Sequence, residues 1–129
     1  MAAGDTWLNA FLGAVATVVL AFLPLSPVLG GALAGYLQGE DAGAVRVGAL
    51  SGALAAIPMA GVFVLLGGVF AALPFGVALL DGPVGPTGAF SVLALLFAAA
   101  MFVFTVAYTV GLSALGGLVG GRVAGESGQ

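Results

Sequence analysis

Three long stretches without a charged residue constrain the fold of this chain more than any other feature. They cover residues 6–39, 47–80 and 82–121. Each is longer than the roughly 20 apolar residues with which a helix crosses a hydrocarbon core of about 30 Å. Backbone amides in lipid must be bonded within the protein, and the stretches lack the alternation of barrel strands. The pattern therefore predicts an all-α integral membrane bundle of Gly/Ala-rich helices.

The composition supports a membrane environment and excludes several kinds of chemistry. Only 5% of the residues are charged and 62% are hydrophobic, whereas about a quarter of an average soluble domain is charged. The chain has no Cys and no His, which removes thiolate chemistry, disulfides and the commonest metal ligand. We therefore expect no catalytic residue, no metal site and no cofactor. Two basic residues in a chain of net charge −3 also argue against nucleic acid as a partner.

Prolines and glycines divide the three stretches into shorter segments. Pro24 and Pro27 interrupt the first stretch, because each lacks an amide donor and disfavours helical geometry in the preceding residue. We expect a single domain over residues 1–129, with helical segments at about 6–23, 27–38, 42–73 and 89–123 and a Pro- and Gly-rich loop at 81–88.

The number of membrane crossings depends on the second segment. At 1.5 Å per residue it is only about 18 Å long, which is short for a full crossing. It is therefore either a re-entrant or partial span of a four-segment bundle, or the second half of one bent helix over residues 6–38. The bent helix gives three crossings and an N-terminus outside the cell.

The orientation follows from the charged residues if there are four segments. All of them except Asp81 then lie on one side of the membrane. Both arginines, Arg46 and Arg122, share that side, which the positive-inside rule assigns to the cytoplasm. Trp7 and Tyr36 fall near the same membrane surface, where aromatic residues concentrate. We expect a multi-pass protein of the cell membrane with cytoplasmic N- and C-termini.

Small residues spaced four apart predict where the helices pack. Helices in lipid associate by close backbone approach, because lipid tails are as apolar as Leu. The candidate packing residues are Gly31, Gly35, Gly39, Gly48, Gly52, Thr105, Thr109, Ser113, Gly117 and Gly121. We expect these stripes to pack within one chain, with a contact between two copies as the alternative. Phe90, Phe97 and Phe104 recur every seven residues and are expected to face lipid.

A short internal similarity links two parts of the chain. Residues 25–31 resemble residues 112–117, and each segment is followed four residues later by another glycine, Gly35 or Gly121. Internal repeats are common in transporters, so a duplicated half is one explanation. Because Gly, Ala and Leu are abundant throughout the chain, we favour convergence of two packing motifs.

The same glycine-rich segments resemble a known family. The runs Ser26–Gly39, Arg46–Gly52 and Tyr108–Gly117 are similar to a group of small haloarchaeal multi-pass membrane proteins. The similarity covers most of the chain and leaves out the loop around Asp81. That family is known only as a domain of unknown function. The resemblance therefore implies a lineage and a membrane location, but no activity and no functional residues.

Two classes of function remain. The favoured one is a non-enzymatic structural or interaction subunit in the lipid bilayer, which packs with itself or with a larger membrane protein. The alternative is a small oligomeric channel or transporter whose pore is lined by Thr105, Tyr108, Thr109 and Ser113. No ionisable residue lies near the middle of a predicted span, which argues against ion-coupled transport. Packing is favoured because hydroxyls in helices commonly bond the carbonyl one turn back.

Overall fold

Four α-helices make up the described part of the chain. The computed structural model describes residues 5–39, 41–81 and 86–128, and these contain no β-strand. In chain order the helices are α1 (Thr6–Val19), α2 (Ser26–Gln38), α3 (Asp41–Asp81) and α4 (Pro86–Ser127). The predicted all-α class is confirmed.

Pro24 explains why α1 ends earlier than residue 23, where the sequence predicts its end. A proline ring clashes with the carbonyl four residues back, which here belongs to Leu20, and it has no amide to donate. Residues 20–25 instead form a turn in which amides bond the carbonyl three residues back, rather than four as in an α-helix. The Leu23 amide donates to the Leu20 carbonyl at 2.8 Å, and the Ser26 amide donates to the Leu23 carbonyl at 3.1 Å.

α1 and α2 form an antiparallel hairpin. The Nδ2 group of Asn9, near the start of α1, donates to Oε1 of Gln38, at the end of α2, over 3.1 Å. α2 then stops at Gly39, whose φ of 74° lies in the left-handed region that glycine adopts without strain. The first two segments are therefore separate paired helices and not two halves of one bent helix.

α3 and α4 are longer than the sequence predicts. α3 continues through Pro58 and Pro74 to Asp81 rather than ending near residue 73. α4 begins at Pro86, a residue type that suits the first turn of a helix, and ends at Ser127 rather than near residue 123. Of the predicted loop at 81–88, residues 82–85 lie outside the described residues and the remainder is helical. In an apolar segment, one hydrogen bond lost at a proline costs less than a helix turn left unpaired.

The chain divides into two compact units. Unit 1 comprises Met1–Ile57 and Val106–Gln129, and unit 2 comprises Pro58–Thr105. Unit 1 contains the α1–α2 hairpin and the adjoining parts of α3 and α4, with a core built from small residues. Unit 2 consists of the remaining parts of α3 and α4. Within it the rings of Phe63 and Phe102 lie 6.1 Å apart, tilted by 55°.

Two stretches of the described chain are long and apolar enough to cross a membrane. They are Gly43–Val69 in α3 and Gly88–Ser127 in α4. The stretch Thr6–Val19, which is the whole of α1, is apolar but shorter.

The Asn9–Gln38 hydrogen bond should contribute measurably to the stability of the hairpin. Asn9→Ala should lower the free energy of unfolding by about 1 kcal/mol, because Asn9 is buried and Oε1 of Gln38 loses its donor. Gln38→Ala on top of Asn9→Ala should add little further loss. Reversible unfolding in detergent, followed by circular dichroism, measures the native protein, the two single variants and the double variant. The exposed neighbour Leu8→Ala is the control, and additive losses for Asn9 and Gln38 would contradict the coupling.

Candidate helix-packing site

The predicted packing residues of α2 meet α4 in unit 1. Gly31 is buried, and a Cβ atom added there would lie 2.7 Å from the Cα atom of Ser113. One turn further along α2, a Cβ atom on Gly35 would lie 2.7 Å from the Cα atom of Gly117. Real Cβ atoms do not approach backbone this closely. Only glycine therefore permits α2 to lie this near α4.

The other face of the same α4 stripe meets α3. A Cβ atom on Gly48 would lie 2.9 Å from the Cα atom of Gly117, and one on Gly52 would lie 2.8 Å from the Cβ atom of Ser113. Ser113 and Gly117 thus contact both α2 and α3. The glycine spacings in three helices converge on one interface.

Carbonyl oxygens fill the space that the missing side chains leave. The atom nearest the Cβ position is a carbonyl oxygen of another helix at Gly31, Gly35, Gly48, Gly116, Gly117 and Gly120. Contacts between Cα–H groups and carbonyl oxygens recur at helix–helix interfaces and contribute about 0.5–1 kcal/mol each. A stripe of such contacts joins the helices in the way that interlocked side chains join the helices of a soluble bundle.

Two further glycine pairs belong to the interface in addition to the ten candidate packing residues. Gly13 of α1 faces Gly30 of α2, whose carbonyl oxygen would lie 2.5 Å from an added Cβ atom. Gly116 and Gly120 of α4 face the backbone of α2, and a Cβ atom on Gly120 would lie 2.9 Å from the Cα atom of Ala32. The four-residue spacing of Gly116 and Gly120 was a usable signal. Nothing in their spacing identifies the helix that they contact.

Two predicted residues, Gly39 and Thr105, lie outside these close contacts. Gly39 is the left-handed end of α2, and an added Cβ atom there meets nothing within 4 Å. Thr105 lies in unit 2, where its Oγ1 donates to the carbonyl of Met101 at 2.8 Å. The remaining candidate glycine of α4, Gly121, is buried as a packing residue would be.

Hydroxyl groups lie within the packed interior of unit 1. Thr109 is 2% exposed, and Ser51 and Ser113 are fully buried. Thr17 Oγ1 donates to the Gly13 carbonyl one turn back, at 2.9 Å. The hydroxyls of Ser51 and Ser113 have no hydrogen-bond partner among the described residues. Their small size, rather than a hydrogen bond, accounts for their place in the interface.

The helices of this interface meet through their backbones and not through charged side chains. The buried polar residues of the described chain are Asn, Ser and Thr, without a charged group among them. Within the described part of the chain, no three acidic side chains come close enough to hold a metal ion. The arrangement holds helices together, and its surface is apolar.

The comparison with known families covers this whole interface. A model of a family of unknown function, DUF5518, matches residues 7–123. The chain belongs to this family. The match confirms the resemblance to a domain of unknown function, and it shows neither the organism group nor an activity. No curated protein and no solved structure is significantly similar to the chain.

Gly117 and Gly111 form a matched pair on α4 that tests the interface. Gly117→Ala should lower the free energy of unfolding by about 1–3 kcal/mol, because the methyl group meets the backbone of α3. Gly111 lies on the same helix with nothing within 4 Å of an added Cβ atom, so Gly111→Ala should be neutral or raise stability by about 0.5–1 kcal/mol. Thermal unfolding in detergent measures both. Equal effects of the two substitutions would contradict the packing role.

Ser113→Ala should leave the free energy of unfolding unchanged or raise it by about 1 kcal/mol, because it removes a buried hydroxyl without a partner. Ser51→Ala should behave alike for the same reason. Ser113→Thr keeps the hydroxyl and adds a methyl group between α2 and α3, so it should lower stability. The same unfolding assay distinguishes them, and a clear loss in both alanine variants would mean that these hydroxyls are bonded in the native protein.

Proposed function

We propose that this member of DUF5518 is a multi-pass protein of the cell membrane with a structural or interaction role and no enzymatic activity. The observation that carries the proposal is the distribution of side-chain size between interior and surface. The family match and the two long apolar stretches agree with it.

The interior of unit 1 contains almost no large apolar side chain. Its buried hydrophobic residues are alanines and one valine, and Val47 is the largest fully buried apolar side chain of the described chain. Every helix, by contrast, exposes large apolar side chains, such as Phe11 on α1, Leu33 on α2, Val64 on α3 and Phe97 on α4. Phe90, Phe97 and Phe104 are all exposed, as the lipid-facing position expected of them requires.

Water would oppose this arrangement, and lipid would favour it. The hydrophobic effect stabilises a soluble protein by about 25 cal/mol for each Å² of apolar surface buried, so large apolar side chains are drawn inward. Here they are outward and the small residues are inside. In lipid, association depends on backbone contact through small residues, which is the contact found in unit 1.

The proposed orientation has both termini in the cytoplasm. The contact of Gly117 with Ala44 and Gly48 brings the end of α4 to the start of α3, and the Asn9–Gln38 hydrogen bond brings the end of α2 to the start of α1. Arg46 and Arg122 therefore belong to the same end of unit 1, and both are exposed. The positive-inside rule assigns that end to the cytoplasm.

The proposed partner, a second copy or a larger membrane protein, contacts the outer surface and not the glycine stripes. Those stripes are already occupied by helices of the same chain, as at Gly31 and Gly48. The outer surface offers Leu, Val and Phe side chains for contact. The haloarchaeal lineage remains part of the proposal.

The channel alternative takes second place. Its proposed pore lining includes Thr109 and Ser113, whose side chains are 2% and 0% exposed. Ser113 lies between the backbones of α2 and α3, where an open water-filled path would have to separate the contacts at Gly31 and Gly52.

Mild extraction of the tagged protein from its native membrane tests the proposal. Release should require detergent, and the particle mass should exceed that of one 12.4 kDa chain, either through a stoichiometric second protein or through further copies. Release by alkaline carbonate alone would contradict membrane integration. A lone chain would contradict the interaction role. The same sample in liposomes should give no more ion flux than empty liposomes, and flux above that level would favour the channel.

A further inference from the structure

We infer that the α1–α2 hairpin enters and leaves the membrane on one side, with its turn at residues 20–25 held in the hydrocarbon core against acyl chains. α3 and α4 are then the two helices that cross the bilayer. This inference rests on the proposed membrane location and assigns to the hairpin a depth and a lipid contact.

The lengths of the helices carry the first part of the argument. α1 has 14 residues and α2 has 13, which correspond to about 21 and 20 Å at 1.5 Å per residue. A hydrocarbon core is about 30 Å thick. The apolar stretches of α3 and α4 have 27 and 40 residues, so both exceed that thickness. A hairpin whose polar end lies at one membrane surface therefore ends short of the other.

The turn of the hairpin presents an apolar surface. Residues 20–25 read Leu-Ala-Phe-Leu-Pro-Leu, without a polar side chain. Phe22 is 78% exposed and Leu25 is 61% exposed. A turn at the water surface would be expected to contain Gly, Asn, Asp or Ser, and the segments around Glu40 and Gly85 are of that kind. The composition of residues 20–25 fits acyl chains.

Most backbone amides of the turn are bonded within the protein. The amides of Leu20 and Ala21 donate to the carbonyls of Ala16 and Val18, at 2.9 and 3.2 Å. Those of Leu23 and Ser26 donate within the turn as well. Pro24 has no amide that needs a partner. The amides of Phe22 and Leu25 donate to no backbone carbonyl of the described residues, so the turn pairs most but not all of its amides within the protein.

The opposite end of the hairpin has the features of a membrane surface. Asp5 is exposed there, and the Asn9–Gln38 hydrogen bond joins the two helices. Trp7 and Tyr36 are also exposed at this end. Indole and phenol side chains favour the headgroup level. The hairpin thus has one polar end and one apolar end, and the two helices that join them are both short.

Single cysteines test this depth, because the natural chain has none. Phe22→Cys and Leu25→Cys report the turn, and Asp5→Cys reports the polar end. Gly85→Cys, in the segment outside the described residues, reports the opposite side of the membrane. A membrane-impermeant maleimide is applied to sealed vesicles of either orientation. Asp5→Cys and Gly85→Cys should be labelled from opposite sides. The two turn cysteines should react at least about tenfold more slowly from both sides, because a thiol in hydrocarbon does not ionise, and should react fully in detergent.

Each other outcome has a definite meaning. Labelling of the turn cysteines from the side of Gly85→Cys would overturn the re-entrant hairpin and leave the membrane location intact. Labelling of all four cysteines from one side would overturn the proposed membrane location itself. Because Phe22 and Leu25 are exposed, neither substitution disturbs the packed interior.

Tryptophan fluorescence supplies a second measurement that needs no thiol chemistry. Trp7 is the single tryptophan of the chain, so the double variant Trp7→Phe, Phe22→Trp moves the fluorophore to the turn. In vesicles of brominated phosphatidylcholine, the native Trp7 should be quenched most by bromine near the headgroup. The moved tryptophan should be quenched most by bromine deep in the acyl chain. Equal depth profiles for the two proteins would overturn the inference.

Discussion

The packing of unit 1 depends on contact between glycine and the carbonyl oxygen of a neighbouring helix. At Gly31 and Gly48, the volume of a side chain is occupied by the backbone of α4. A single such contact is weak, but the contacts repeat every turn and along both faces of α4. Each also requires that the helices approach closely along their length. The interface is therefore stabilised by its continuity, and a methyl group at one position disturbs its neighbours.

An interior of glycine and alanine has a consequence for the surface. A chain with 62% hydrophobic residues must put its large side chains somewhere, and backbones in contact leave no room for them inside. They lie on the outside, where Phe22 and Leu80 are 78% and 87% exposed. The close packing of small residues inside therefore requires an apolar exterior. The solvent that suits such an exterior is hydrocarbon, in which the outward side chains lose nothing.

The sequence was sufficient to predict the helical class and much of the interface, because both depend on local patterns. Uncharged stretches identified the helices, and four-residue spacing identified Gly31, Gly35 and Gly117. The same spacing did not separate Gly39, which ends α2 with a positive φ, from the glycines that pack. The spacing also could not predict that Gly13 contacts Gly30, because which helices come together depends on how the chain turns at Pro24. The two similar segments at residues 25–31 and 112–117 lie against each other through Gly31 and Ser113, as two matched packing surfaces would.

The use of glycine at these contacts restricts how the family can vary. In a soluble core, a residue can be exchanged for a larger or a smaller one, and a neighbour can compensate. Glycine has no smaller replacement, so every mutation at Gly31 or Gly117 adds atoms. The atoms in the way belong to backbone, which a second mutation does not shorten. No partner residue can therefore compensate for a mutation at these glycines, whereas the outward-facing side chains are free of this restriction.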